Sequence, residues 1–305
     1  MAIYSDNLVG LALFQFELLR NQPGLVHGIS TRHAPRFPLF PHLESSETNE
    51  WEVSGGGKRP MLLNNPIRYA TLIRQRRLEF LAALGLDAPT VILSLTAGQQ
   101  RHTANVACIG PTAYGAELNW RRSLPDIDAV VTDLPNLPLM TIHADCPPLI
   151  LFDPVQKVAA TVHSGWRGTV GKIGLVAVET MMQKYGCLPA NILAGIGPSI
   201  GPCCYQVGEP VLTQVCEAFG ESAAYGTNPL LQNREGSWYF DLWAANCLLL
   251  LEAGLLPTHI ENSQLCTFCH ADLFFSYRAI GEAQRHANGY GLFGSIVALT
   301  QLPSQ

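Results

Sequence analysis

Three short segments set imidazole and thiol groups beside tight-turn residues: Gln100-Arg101-His102, His143-Ala144-Asp145-Cys146-Pro147 and His163-Ser164-Gly165-Trp166-Arg167-Gly168. Taken together, His102, Cys146 and His163 offer two imidazoles and one thiol. Three protein ligands with a fourth position left for water is the pattern of a catalytic zinc ion, whereas a structural zinc is usually closed by four. Spacing alone leaves each residue a plainer reading, because cysteines are commonly buried and a histidine near a strand end is more often a satisfied structural residue. His143 is read as core on that basis, since alternation along a strand turns positions 143 and 146 to opposite faces.

Further along, Cys266-Thr267-Phe268-Cys269-His270 fits the C-x-x-C-H of covalent haem attachment. That chemistry requires export, and a redox C-x-x-C requires a thioredoxin-like βαβ setting, so neither use is expected here. Cys203 and Cys204 are adjacent and expected to be reduced. Gly195, Gly197, Gly201 and Gly208 punctuate GIGPSIGPCCYQVG. This reads as a turn bringing the backbone close to a site rather than as a nucleotide fingerprint, because no G-x-G-x-x-G precedes a helix.

The elements that must position these groups are short and apolar. The runs TVILSLT, IDAVVTD, LPLMTIHA, PPLILFD and KVAATVH, separated by Pro, Asp and Gly, read as strands, several of them apolar throughout as fully buried strands are. Pro66 suits the first turn of a helix whose apolar side is Leu72, Ile73, Leu78, Leu81 and Leu84, with Gly85 as its C-terminal cap. Further helices are expected from beyond Gly171 to Tyr185, from Glu209 to Phe219 and from Asp241 to Gly254, and SIVALT supplies a late strand. The Ser/Glu/Gly-rich stretch from Glu44 to Lys58 reads as a solvated loop. This mixture predicts an α/β fold of layers with a central mixed sheet, in one domain covering residues 1–305.

Composition narrows the function classes. Of 305 residues, 48% are hydrophobic and 14% charged, and the formal net charge is -5, which gives no basic face for nucleic acid or an anionic membrane. The N-terminal MAIYSDNLVGLALFQFELL lacks the parts of a signal peptide, and Cys247 to Leu256 falls short of the ~20 apolar residues that span a bilayer. An odd number of cysteines, nine, without an export signal predicts reduced thiols and a cytoplasmic location. Small-molecule chemistry becomes the better expectation.

The stretches ADCPPLILFD, VHSGWRGTVGKI, GIGPSIGPCCYQVG and FFSYR, in this order and at these separations, resemble the YfiH/YlmD family. Its members are also called laccase-domain or polyphenol oxidase-like proteins and peptidoglycan editing factors. The resemblance runs from about Leu25 to Leu299 and implies a layered α-β-β-α fold similar to the catalytic domain of cytotoxic necrotising factor. It implies a metal, Zn2+ or alternatively Cu2+, held by His102, Cys146 and His163. It further implies zinc-dependent phosphorolysis of purine nucleosides (adenosine, inosine and methylthioadenosine) by inorganic phosphate, with deamination of adenosine as an activity of some members. Two departures stand out: Ser30-Thr31-Arg32 is followed by HAPRFP where a Gly-rich turn is usual, and AIGEAQRHANGYG follows FFSYR, with Arg285 in place of the family's next arginine.

Mechanism follows from residue type. For deamination, zinc lowers the pKa of bound water to near ~7 for attack at C6 of adenine, and Asp145, next to Cys146, is the candidate proton carrier. For phosphorolysis, Arg167 and Arg278 are the candidates to hold the phosphate dianion, each with a structural salt bridge as its alternative. Two enzymatic rivals remain: a metal-free amidase with Cys146 as nucleophile and His163 as base, acting on a cell-wall precursor, and a copper polyphenol oxidoreductase. The second is disfavoured by only nine histidines in the chain. A non-catalytic protein that docks a partner on its GWRG and FFSYR surface is the alternative of another class.

Overall fold

A computed structural model describes residues 2–5, 12–32, 66–111, 124–225, 229–281 and 291–301. The expected loop from Glu44 to Lys58, the HAPRFP segment and Arg285 lie outside the described residues, as does the Leu72 side chain.

Two large sheets dominate. In the first, the strands follow the order Ala2–Ser5, Ala12–Gln15, Leu25–Ser30, Phe293–Leu299, Leu139–His143, Thr96–Gln99, Leu124–Pro125. In the second the order is Ile260–Asn262, Leu193–Ile196, Pro148–Asp153, Val158–His163, Ala129–Thr132, Val106–Cys108. Both are mixed: the Thr96–Gln99 strand is parallel to Leu139–His143, and Val106–Cys108 is parallel to Ala129–Thr132, while most other pairs are antiparallel. A small third sheet joins Gln206–Val207, Ser237–Phe240 and Leu231–Arg234.

Period-two alternation builds the layers. Val130, Ile150, Phe152 and Ala159 of the second sheet pack with Phe14, Ile29, Leu139 and Val297 of the first in one buried cluster, the interior between the sheets. Their neighbours Ala129, Val131, Leu149, Leu151, Val158, Ala160 and Val162 turn the other way, onto Ile173, Ala177, Val178 and Met181 of the Ile173–Tyr185 helix and Leu250 of the Leu242–Glu252 helix. On the far side, Met140, Ile296 and Ala298 meet Phe80, Leu81 and Ala83 of the Pro66–Ala83 helix. The result is helix, sheet, sheet, helix, as expected. Strands with both faces covered have to be apolar throughout, which is why PPLILFD and KVAATVH carry no polar alternation.

Helix ends follow local chemistry. Asp241 caps the Leu242–Glu252 helix by accepting from the Ala244 N–H at 2.9 Å. Gly85 and Gly186, with φ of 70° each, close the turns after Ala83 and Tyr185. One expectation is corrected: TVILSLT is not a strand but mostly a six-residue helix, Pro89–Ser94, with only its last residue opening the Thr96–Gln99 strand. Pro89 sits in the first turn, the N–H groups of Val91 and Ile92 bond the Ala88 carbonyl, and Val91 and Leu95 bury against the first sheet, so packing overrides the β preference of Val-Ile.

Candidate metal centre

The three sequence-predicted ligands converge where strands of the two sheets end. His102 follows the Thr96–Gln99 strand, Cys146 lies in the link between Leu139–His143 of the first sheet and Pro148–Asp153 of the second, and His163 closes Val158–His163. One ligand atom from each lies within 4.8 Å of the other two, and Cys146 Sγ is 3.7 Å from His102 Nε2. His163 is buried, Cys146 half-buried and His102 exposed, so the cluster opens on one side only.

Asp128, which the sequence does not single out, organises this site. Its Oδ1 lies 2.8 Å from His163 Nδ1 and accepts from the His102 N–H at 2.9 Å. Its Oδ2 accepts from the N–H groups of Arg101 and Thr103 at 3.0 and 2.8 Å and from the Thr103 hydroxyl at 2.8 Å. One buried carboxylate therefore fixes a ring and a loop together: it holds Nδ1 of His163, leaving Nε2 for a ligand, and pins the backbone that carries His102. That grip sustains a left-handed φ of 62° at His102, a conformation non-glycine residues rarely adopt. Burial would raise the Asp128 carboxyl, but the hydrogen bond from His163, the N–H groups of Thr103 and Arg101 and the His163 charge hold it well below the usual range.

Close approach demands glycine at 165. A Cβ built there would sit 2.8 Å from Cys146 Sγ and 2.8 Å from His102 Cδ2. Next to it, Ser164 Oγ bonds Asn246 Oδ1 at 2.6 Å, tying the HSGWRG turn to the Leu242–Glu252 helix. On the other wall the Gln100 side chain copies a strand, donating to the Ile142 carbonyl at 2.7 Å and accepting from its N–H at 2.8 Å.

Burial opposes ionising the Cys146 thiol, but the His163 charge and hydrogen bonds from both imidazoles overcome it and bring the thiol down to about 7. Burial likewise opposes protonating His163, and the Cys146 charge with the Asp128 hydrogen bond raises it to about 9. Each group therefore favours the charged form of the other, thiolate beside imidazolium. The donor set of two imidazoles and a thiolate, with Nδ1 of one ring tied back, fits a zinc or copper ion at His102, Cys146 and His163. His143 is buried, as expected, but not remote: its ring centre is 5.4 Å from that of His163, and its nitrogens are satisfied by the Cys146 carbonyl at 3.1 Å and the Thr141 hydroxyl at 2.9 Å. The strand ends at His143, so alternation does not extend to 146.

The cluster faces a cleft of about 910 Å³. Four arginines line it: Arg167 and Arg278, the two phosphate candidates, Arg101, which adjoins His102 in the Gln100-Arg101-His102 segment, and Arg77, which the sequence does not single out. The Arg167 guanidinium lies 4.3 Å from the Trp166 ring centre and that of Arg278 5.4 Å from Tyr205, while Arg278 Nη1 donates to the Gln206 carbonyl at 2.9 Å. Among the described residues neither Arg167 nor Arg278 has a carboxylate within salt-bridge distance. Asp145 accepts from the Thr267 hydroxyl at 2.6 Å and from the Arg278 N–H at 2.7 Å, and burial raises its pKa. Its φ of 80° shows that this turn too is held in a rare conformation.

Residues 70–300 match the model of the family described as multi-copper polyphenol oxidoreductase laccase. The chain belongs to this family. Its relatives include adenosine deaminase RL5 of an unknown prokaryotic organism, 33% identical over 70% of this chain and 78% of that protein. A purine nucleoside phosphorylase of Bacteroides thetaiotaomicron is 33% identical over 60% of this chain and 67% of its own length. Among solved structures, YlmD from Geobacillus stearothermophilus superposes with a TM-score of 0.77 over 98% of this chain and 99% of that one, at 24% identity. A hypothetical protein YfiH of Bacillus licheniformis gives a TM-score of 0.75 over 96% of this chain and 98% of the other. The family's α/β fold is thereby shared. No helix among the described residues is long and apolar enough to cross a membrane.

Proposed function

We propose that this chain is a zinc-dependent purine nucleoside phosphorylase that splits adenosine, inosine or methylthioadenosine with inorganic phosphate, with adenosine deamination as an accompanying activity. The observation that carries the reading is the convergence of His102, Cys146 and His163 at the edge of a cleft lined by four arginines. A phosphate dianion needs cations to hold it beside the reacting carbon. The relatives called purine nucleoside phosphorylase and adenosine deaminase support the same choice.

Zinc held by His102, Cys146 and His163 would supply a Lewis acid. The chain's own groups do the positioning. Arg167 and Arg278 hold the phosphate so that an oxygen attacks C1′ of the ribose as the bond to the purine nitrogen breaks and its electron pair leaves with the base. Trp166, Tyr205 and Tyr277 in the cleft wall offer aromatic surface to the purine. Asp145, whose oxygens take the Thr267 hydroxyl and the Arg278 N–H, fixes where Arg278 enters the cleft and acts as a positioning residue in this scheme.

A second reading has one specific observation in its favour. His163 lies between Cys146 and Asp128 as the base of a Cys-His-Asp triad would, consistent with an amidase acting on a peptidoglycan precursor. His102 separates the two: a second imidazole at the sulfur completes a three-ligand metal set and is superfluous to a triad. The test is product analysis. Adenosine or inosine with phosphate should yield free base and ribose 1-phosphate, and omission of phosphate should abolish base release. Arg278→Ala should raise KM for phosphate about tenfold or more and leave that for nucleoside nearly unchanged. Base release independent of phosphate would sink the phosphorylase reading.

A further inference from the structure

Away from the cleft's metal centre, four cysteines from two distant stretches of chain meet: Cys203, Cys204, Cys266 and Cys269. Each offers a sulfur, and the four lie within 4.8 Å of one another. Cys203 Sγ is 3.7 Å and Cys204 Sγ 3.4 Å from Cys269 Sγ. A tetrahedral ion with metal–sulfur bonds of ~2.3 Å sets its sulfurs roughly 3.8 Å apart along each edge, so these separations are those of a tetrathiolate cage. A disulfide would require about 2.05 Å, and all four thiols are free.

The frame around the sulfurs is built rather than incidental. Ser199 N–H donates to the Leu265 carbonyl at 3.1 Å and Thr267 N–H to the Ser199 carbonyl at 3.0 Å, so the two loops pair as a bridge on either side of Cys266. Gly201 N–H points at Cys266 Sγ from 3.3 Å, a contact that favours thiolate over thiol. A side chain at 201 would strike Trp243, its Cβ lying 2.5 Å from that ring, so glycine is what allows the cysteine turn to close on Cys266. The C-x-x-C spacing of 266 and 269 supplies one half of the cage and the adjacent pair 203 and 204 the other.

We propose that Cys203, Cys204, Cys266 and Cys269 form a second, structural metal site for a thiophilic divalent cation such as zinc, closed by four thiolates and separate from the His102, Cys146 and His163 centre. It accounts for the C-x-x-C-H segment without haem. The ion cross-links the loop that continues into Tyr205 with the one that carries Thr267 and Arg278, and so holds two walls of the cleft in register. The inference does not depend on which reaction the cleft performs.

Metal analysis of full-length protein, purified with reductant and equilibrated with zinc, tests it. Wild type should carry two zinc ions per chain, Cys146→Ala one and Cys269→Ser one, with a lower melting temperature for Cys269→Ser than for wild type. Because Cys269→Ser could fail to fold, cobalt substitution of Cys146→Ala gives an independent readout: an intense sulfur-to-cobalt charge-transfer band of a four-thiolate site. One ion in wild type and none in Cys146→Ala, with four further thiols reacting freely under native conditions or recovered as disulfides, would overturn the second site. Loss of nucleoside turnover with two ions still bound would count against the proposed reaction and leave this site standing.

Discussion

Asp128 makes five hydrogen bonds on two oxygens, and every one of them ends on a metal-ligand residue or its loop neighbour. Asn in its place keeps the shape but presents only one acceptor oxygen, so either His163 or the 101–103 backbone faces an NH2 group. Asp128→Asn should weaken zinc binding at the first centre by roughly 10–100-fold, measured by competition with a chromogenic chelator; unchanged affinity would show that Asp128 does not organise the ligands. His102, Cys146 and His163 were legible in the sequence because imidazole and thiol groups beside tight turns are rare enough to stand out. Asp128 was not: in IDAVVTD it reads as polar punctuation at a strand end, and only the folding of His163 onto it, 35 positions later, reveals its work. Arg77 was not legible for the same reason, since a cleft collects residues from elements that the sequence keeps apart, whereas Arg101 lies beside His102 in a segment that does stand out.

At the scale of elements, the strand Leu25–Ser30 carries a histidine that the fold keeps neutral. His27 is 1% exposed, its Nε2 accepts from the Phe16 N–H at 2.9 Å, and its ring stacks on Phe16 at 5.9 Å. Burial drives its pKa from 6.5 down to about 3. The unfolded chain takes up a proton there near pH 6.5 that the folded chain refuses until about pH 3, so His27 costs stability increasingly as pH falls through that window and nothing above it. Melts in denaturant should show a loss of ~2–3 kcal/mol from this group by about pH 4.5. His27→Gln, which retains an acceptor for Phe16, should flatten the slope; an unaltered pH profile would contradict the assignment. Element type was readable wherever the pattern had one meaning, as in the helices ending at Gly85 and Gly186. It failed at TVILSLT, where β-branched residues serve a short helix because Pro89 starts it and the first sheet buries Val91.

Over the whole molecule, two sheets face each other and their strand ends form the seam at which the candidate metal ligands and an arginine-lined cleft meet. The layering was legible because a strand covered on both faces must be apolar along its whole length, as PPLILFD and KVAATVH are. Which strand ends share the seam was not, since that depends on a sheet order that places Phe293–Leu299 between Leu25–Ser30 and Leu139–His143. The central claim is that the metal at His102, Cys146 and His163 is the reacting group's Lewis acid and that Cys146 is its ligand. It meets its most direct test in chelation. Turnover of adenosine with phosphate is measured on wild-type protein and on Cys269→Ser, which lacks a ligand of the proposed four-cysteine site, before stripping, after stripping under reductant with the fold monitored by circular dichroism, and after zinc is returned. The account predicts that turnover disappears with the metal and comes back with zinc. Stripped, folded protein that turns over nucleoside or a peptide-linked precursor faster than the loaded form, with added zinc inhibiting it, would instead make Cys146 the nucleophile and contradict the account.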